Sequence, residues 1–358
     1  MRGNSTAMNA GSTVELNNQI YERSLLKQPS SLSRILSSAW TVFLVFSLIA
    51  FALLPFSNRF FGGLLAARGY PAWWVTLPLI VLRAITAVTV IGYANHRFVE
   101  HVGWMTRIDD HVRPFLGQTI ARGLGEYVRD AQRDHKIHHW WQYPFGELLV
   151  RNVKYVGAVQ GFSWEWYIPG FIVGAAFIAL NGLNWGTALF VATVYVYAQW
   201  VVSVVHHRFH EDVATSHPRW ARSRYFQWLF KLHILHHYDE DHNHDIVLPI
   251  MDFLTGRLLW PRFHVQEIQG LRDEKIICIS QIRNWRYVLL YATPAERASF
   301  VTDATRPGRT PATIQMLRNL LSLLEDRLTL HPDDAQAQLL KQRAECVLTE
   351  LASAAQAA

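Results

Sequence analysis

The chain has 358 residues, of which 50% are hydrophobic, 13% aromatic and 17% charged, with 14 Trp and a formal charge of +6. Charged residues make up about 25% of an ordinary soluble domain, so this balance argues against a purely soluble protein and for a membrane one. In a bilayer protein basic excess marks cytoplasmic loops facing anionic lipid, which sets nucleic acid aside, and Cys278 and Cys346 alone make neither a disulfide framework nor a thiolate zinc site.

Residues 1–34 are polar, carry Arg2, Arg23, Lys27 and Arg34, and lack the apolar core of a cleavable secretory signal; they read as a mobile tail. From Ile35 to Ser57 runs an uncharged apolar stretch long enough to span a bilayer as a helix. A second stretch, Pro71 to Asn95, carries Arg83 near its middle. Two more, Trp166 to Leu183 and Trp185 to Val205, are joined by a turn at Asn181-Gly182-Leu183-Asn184. Trp73, Trp74, Tyr93, Trp166, Tyr167 and Trp185 gather at segment ends, as interfacial belts do. Arg83 has two readings, pairing inside the bundle or a tilted helix on one side and contact with an anionic headgroup or carboxylate on the other, because an intramembrane charge is costly.

Four spans put both termini on one side, and the basic tail makes that side cytoplasmic. The hydrophilic block 96–160, with a helical charged insert from Arg107 to Asp134, and everything after 206 then share that face. Beyond a membrane-embedded domain over 35–265 lies a mainly helical extension, 266–358. Leu271 to Tyr291 reads as short strands or a helix, and Pro307, Gly308 and Pro311 mark a break. Residues 312–327 and 333–354 read as an amphipathic helical hairpin, its second arm started by Pro332-Asp-Asp, packing on the membrane domain or on a partner.

Histidine carries the chemistry. The spacing His-x-x-His-His occurs twice, at His135, His138, His139 and at His233, His236, His237; with 17 His in the chain a given start matches by chance roughly once in ten thousand. On a helix, positions i, i+3 and i+4 share a face, so each copy is expected to aim three imidazoles at one point. His206 and His210, at i and i+4, also share a face. His96 and His101, at i and i+5, are some 140° apart on a regular helix and require a helix end or distortion. These ten imidazoles are too many for one ion and suit two, but imidazole fits Fe, Zn, Cu and Ni alike.

The order His-x4-His, His-x2-His-His, His-x3-His, His-x2-His-His resembles that of the fatty acid hydroxylase superfamily, the membrane di-metal oxygenases that include sterol desaturases and fatty acid 2-hydroxylases. Asn243, Asp252 and Gly256 fall in register with the family's passage after its last box, and the resemblance covers roughly residues 80–260. His244 and Asp245 stand where the family has an aromatic and a Gly, and Thr255 and Arg257 replace Phe and Thr; the gap from His101 to His135 is also longer. The resemblance implies an all-α integral membrane protein of about four transmembrane helices, with a cytosolic helical cap carrying the di-metal site. It further implies two iron ions held by the ten imidazoles, no catalytic residue beyond these ligands, O2 as co-substrate, and hydroxylation of an unactivated C–H bond of a fatty acyl or sterol-like lipid. A desaturase similar to C-5 sterol desaturases would use the same centre. A zinc transporter needs ionisable ligands inside the spans, and a metal-dependent lipid hydrolase needs fewer His and a carboxylate base. With no dinucleotide fingerprint and no cysteine set for an iron–sulfur cluster, electrons are expected from a ferredoxin, or from a cytochrome b5-type protein with its reductase. The membrane is expected to be a bacterial inner membrane or the endoplasmic reticulum.

Carboxylates placed to orient ligands are Glu100, Asp130, Asp134, Glu211, Asp212, Asp239, Asp241 and Asp252, with Asp134 and Asp252 the best placed. His207, His242 and His244 are further candidate ligands, and His111, His217, His264 and His331 read as surface or packing residues.

Overall fold

A computed structural model describes residues 31–54, 72–102, 107–139, 164–210, 219–261, 285–292, 294–305 and 310–357, with isolated positions among 14–22 and 63–68 and at Met105. The elements are α1 (Ser31–Leu53), α2 (Ala72–Ala94), α3 (Ile108–Ile137), α4 (Trp164–Asn181), α5 (Trp185–Gln199), α6 (Arg224–Tyr238), α7 (Ile250–Leu254), α8 (Pro294–Ala304), α9 (Thr310–Leu330) and α10 (Ala335–Ala357). Among the described residues there is no strand. Helices therefore stand at all four places where the apolar stretches predicted them. Two, continued by wider turns to Thr76–Glu100 and Trp185–Phe209, are long and apolar enough to cross a membrane; the apolar stretches Ser37–Leu53 and Ile168–Asn181 are shorter.

The four helices pack around Ala52, Ile80, Ala84, Ala87, Val173, Phe177, Phe190 and Val194, where Phe177 and Phe190 stack with ring centroids 3.7 Å apart. Small residues on α2 allow this close approach. The predicted turn between α4 and α5 forms with Gly182 at φ 75°, a left-handed conformation glycine takes without cost. Asn184 then caps α5 by accepting from the Thr187 N–H at 3.0 Å.

Arg83 is fully buried. Its Nε donates to the Ala52 carbonyl at 2.9 Å and its Nη2 to the Leu54 carbonyl at 2.8 Å, and its guanidinium lies 4.8 Å from the Phe177 ring centre. The last carbonyls of a helix have no partner within it and sit at the negative end of its dipole. Arg83 supplies both donor and positive charge there, so of its two readings, pairing inside the bundle holds.

The C-terminal hairpin forms as predicted, with Asp334 capping α10 through the Ala337 N–H at 3.0 Å. Its Leu317, Leu320, Leu324, Leu340, Val347 and Leu351 share one core with Ile234, Leu235 and Tyr238 of α6. The helix that carries the last histidine box is thus braced by the extension. Of the stretch 271–291, residues up to 284 lie outside the described ones, and Tyr287–Tyr291 is helical. Within the tail read as mobile, the few described positions include two that pack against the C-terminal hairpin. Asn18 and Tyr21 are buried; Arg327 donates to Asn18 Oδ1 at 2.5 Å and stands 4.9 Å over the Tyr21 ring. A polar composition gave no sign that these two residues would meet a buried arginine.

Candidate metal centre

Both long apolar helices change pitch as they reach their histidines. α2 passes into a π-helical segment, Asn95–Glu100, and α5 into another, Trp200–His206, followed by a last turn His207–Phe209. The π pitch, with its i→i+5 hydrogen bonds, brings residues five apart onto one face. This is the distortion that His96 and His101 require, and their ring centroids lie 5.1 Å apart. Such wide turns cost hydrogen-bond geometry and concentrate at functional sites.

The imidazoles form two sets whose ligating atoms lie within 4.8 Å of one another: His96, His101, His135, His139 and His236 in the first, and His138, His210, His233 and His237 in the second. His206 stands against the second set, its ring centroid 4.8 Å from His233 and 5.1 Å from His138 and His210, but outside that cluster of ligating atoms. The expectation that each His-x-x-His-His aims at one point is corrected here. Positions i and i+4 share a set while i+3 joins the other: His135 and His139 against His138, and His233 and His237 against His236. Adjacent residues on a helix differ by about 100°, so each His-His pair divides between two centres. His139 and His237 stack at 3.9 Å and 15°, placing the two sets side by side.

The hydrogen bonds of the first set fix how its rings present themselves. His236 Nδ1 donates to the His242 carbonyl at 2.7 Å, and His96 Nδ1 to the His244 carbonyl at 2.6 Å. A carbonyl oxygen only accepts, so each of these Nδ1 atoms carries the proton. His101 Nδ1 lies 3.2 Å from Glu240 Oε2, and His135 Nδ1 lies 3.1 Å from Glu100 Oε2, which puts the proton on Nδ1 there too. In a neutral ring Nε2 is then a bare lone pair. Yet His101 Nε2 lies 2.9 Å from His135 Nε2 and 3.2 Å from His236 Nε2. Lone pairs at these separations repel unless a cation lies among them. In the second set His233 Nε2 is equally close to His210 Nε2, at 3.0 Å, and to His237 Nε2, at 3.1 Å. His139 is buried, and neither of its ring nitrogens has a hydrogen-bond partner among the described residues. Five and four converging neutral nitrogens fit first-row transition ions.

Burial keeps these rings neutral. It lowers His101 to about 4, against the partly opposing pull of Glu240, and holds His135, His138, His139, His210, His233 and His236 well below the ordinary value of 6.5. Above pH 6.5 neither the folded nor the unfolded chain protonates these rings, and their contribution to stability is constant. As pH falls from 6.5 towards 4 the unfolded chain takes up protons that the folded chain refuses, and stability is lost. Metal-stripped protein in detergent is therefore expected to lose thermal stability steeply across that window, as followed by circular dichroism. A flat profile between pH 6.5 and 4 would contradict the buried, neutral cluster.

Of the expected carboxylates, Glu100 reaches the first set and Asp252 lies 3.3 Å from His244 Nδ1. Asp239 lies 3.2 Å from His242 Nδ1, Asp130 and Asp134 are exposed, and Glu211 and Asp212 lie outside the described residues. Glu240 escaped the sequence reading. It faces His101 and also stands 3.7 Å from His139 Nδ1. α6 ends at Tyr238, so helical spacing no longer says where its side chain goes. His207, His242 and His244 fall in neither set, but His242 and His244 serve ligands through their carbonyls. His111 and His331 are exposed as expected, and His217 and His264 lie outside the described residues. Comparison with protein-family models, with curated proteins and with solved structures finds no match to this chain.

Proposed function

We propose that this chain is a membrane-embedded di-iron oxygenase that hydroxylates an unactivated C–H bond of a lipid, with electrons from a separate donor protein. The observation that carries this reading is the convergence of imidazole Nε2 atoms at 2.9–3.2 Å in two touching sets, in the first of which the Nδ1 hydrogen bonds leave Nε2 as the lone pair. Two adjacent iron ions, when bound, supply the activation of O2 that such a reaction needs. The protein's own part is to hold the ligands. Glu100, Glu240 and the carbonyls of His242 and His244 keep the proton on Nδ1 and turn Nε2 towards the ions.

The membrane supports the same reading. Phe46, Leu82, Phe171 and Val196 are exposed on α1, α2, α4 and α5, faces that a bilayer would cover, and we read all four helices as spans with the histidines at their cytosolic ends. A cleft between α2 and α5, lined by Val88, Gly92, Tyr197, Val201 and Val202, reaches His244 beside the first set. An apolar chain entering there would displace water from the reacting end. Exposed Arg219, Arg222 and Arg224 offer a basic face to an acidic ferredoxin or cytochrome. The His sets lie at helix ends rather than midway along them, which speaks against a zinc transporter.

Purified protein reconstituted with ferrous iron, O2, a reductant and membrane lipid is expected to yield a lipid carrying one added oxygen atom, read by mass spectrometry. Loss of two hydrogens instead would assign a desaturase, and turnover without O2 would assign a hydrolase.

A further inference from the structure

Asn243 is the one non-glycine residue among those described with a positive φ, 55°. Left-handed backbone costs most residues energy and is tolerated best by Asn, and it persists only where the surroundings enforce it. Here they do. Asn243 Nδ2 donates to the Leu232 carbonyl at 3.2 Å and the Leu259 carbonyl at 3.3 Å, its Oδ1 accepts from the Leu259 N–H at 2.8 Å, and its own N–H donates to the Arg257 carbonyl at 3.1 Å. The side chain thereby ties α6 to the segment that follows α7.

The residues on either side each give a carbonyl to a ligand of the first set. His242 accepts from His236 on α6, and His244 accepts from His96 on the π segment that ends α2. Beyond this turn the chain is held again: the Asp245 N–H donates to Asp252 Oδ2 at 2.7 Å, the Asp252 N–H donates to Asp245 Oδ2 at 2.9 Å, and His244 Nδ1 faces Asp252 Oδ1.

We propose that His242-Asn243-His244 is a backbone clamp for the first metal position, with Asn243 as its positioning residue. One left-handed turn sets two carbonyls, and these carbonyls set the tautomer and aim of two ligands from different elements. The clamp rests on the metal-centre reading but not on the reaction that the centre performs.

The test uses full-length protein in detergent, loaded with zinc and titrated with a chelator. Wild type is expected to hold two ions. Asn243→Ala is expected to weaken one of them about 10–100-fold, the range for losing a group that orients a ligand, and to leave the other unchanged. His96→Ala marks the first position and His233→Ala the second. Asn243→Ala should add nothing to the loss in His96→Ala, and with His233→Ala it should leave no tight ion. Asn243→Gly, which supplies the positive φ, should lose less than the alanine variant. Equal weakening of both ions, weakening of neither, or a glycine variant as poor as alanine would overturn the clamp while a wild type holding two ions leaves the metal centre standing. A wild type that binds no ion removes both. Should Asn243→Ala fail to accumulate, cadmium NMR of Asn243→Gly must move one resonance of the two; movement of both or of neither overturns the proposal.

Discussion

His236→Ala is expected to empty the first metal position and abolish the proposed lipid oxidation while the protein remains helical. His236 is fully buried and central to its set, with ring centroids 4.5 Å from His96 and 4.9 Å from both His101 and His139. Its Nε2 is one of the lone pairs that meet there. Losing a group that merely orients a ligand costs about 10–100-fold in metal affinity, and losing the ligand itself costs more. The effect on stability should depend on the metal. In stripped protein, truncation leaves a cavity and an unpaired His242 carbonyl but also relieves lone-pair repulsion, so the net change is small. In loaded wild type the bound ion adds stability by mass action, and the variant forfeits the share due to the first ion. Metal analysis and melting curves with and without zinc check both statements; His331→Ala, at an exposed position, should match wild type throughout. Full metal content and turnover in His236→Ala would count decisively against the centre.

The histidines themselves were legible because spacing and helix geometry are both periodic. All ten imidazoles predicted as ligands come together, nine in the two sets and His206 beside them. The i, i+5 pair even required the distortion that the π segment supplies. What the spacing could not convey was partition. Whether His138 sides with His139 or with His210 depends on where α6 and the end of α5 stand, and that is set by packing among Val205, Phe209, Phe226 and Leu229 rather than by local sequence. The orienting groups were harder still. Glu240 and the carbonyls of His242 and His244 lie in a loop after α6, where no periodicity applies and backbone oxygens carry no sequence signature. Asn243 stood in register with the family's passage, but only its positive φ gives that register a physical reason. Asn18 and Tyr21 were illegible for a related reason: they are held by Arg327, about three hundred residues away along the chain.

Arg83→Met should destabilise the protein by about 2–4 kcal/mol, the cost of losing one buried and one part-buried hydrogen bond to backbone carbonyls. Methionine fills much of the arginine's volume, so packing loss is limited, and what is lost is the pair of donors and the guanidinium's place over the Phe177 ring. The Ala52 and Leu54 carbonyls at the end of α1 would each lose the bond that Arg83 donates, and no water replaces that donor if the helix lies in lipid. A second carbonyl acceptor nearby makes the position more demanding: Asn181 Nδ2 already donates to Leu53, so its amide is committed and is not free to rescue its neighbours. Removing a desolvated cation returns part of the cost, because a buried guanidinium is itself held at a penalty. The balance still favours arginine, since its Nε and Nη2 each donate to a carbonyl, although Nη1 has no hydrogen-bond partner among the described residues, and its charge faces the negative end of a helix dipole. Thermal unfolding in detergent measures the loss, and Arg83→Lys, with one compact ammonium in place of a fork, should recover only part of it. If Arg83 instead served an anionic headgroup, the methionine variant would keep its melting temperature and lose bound lipid.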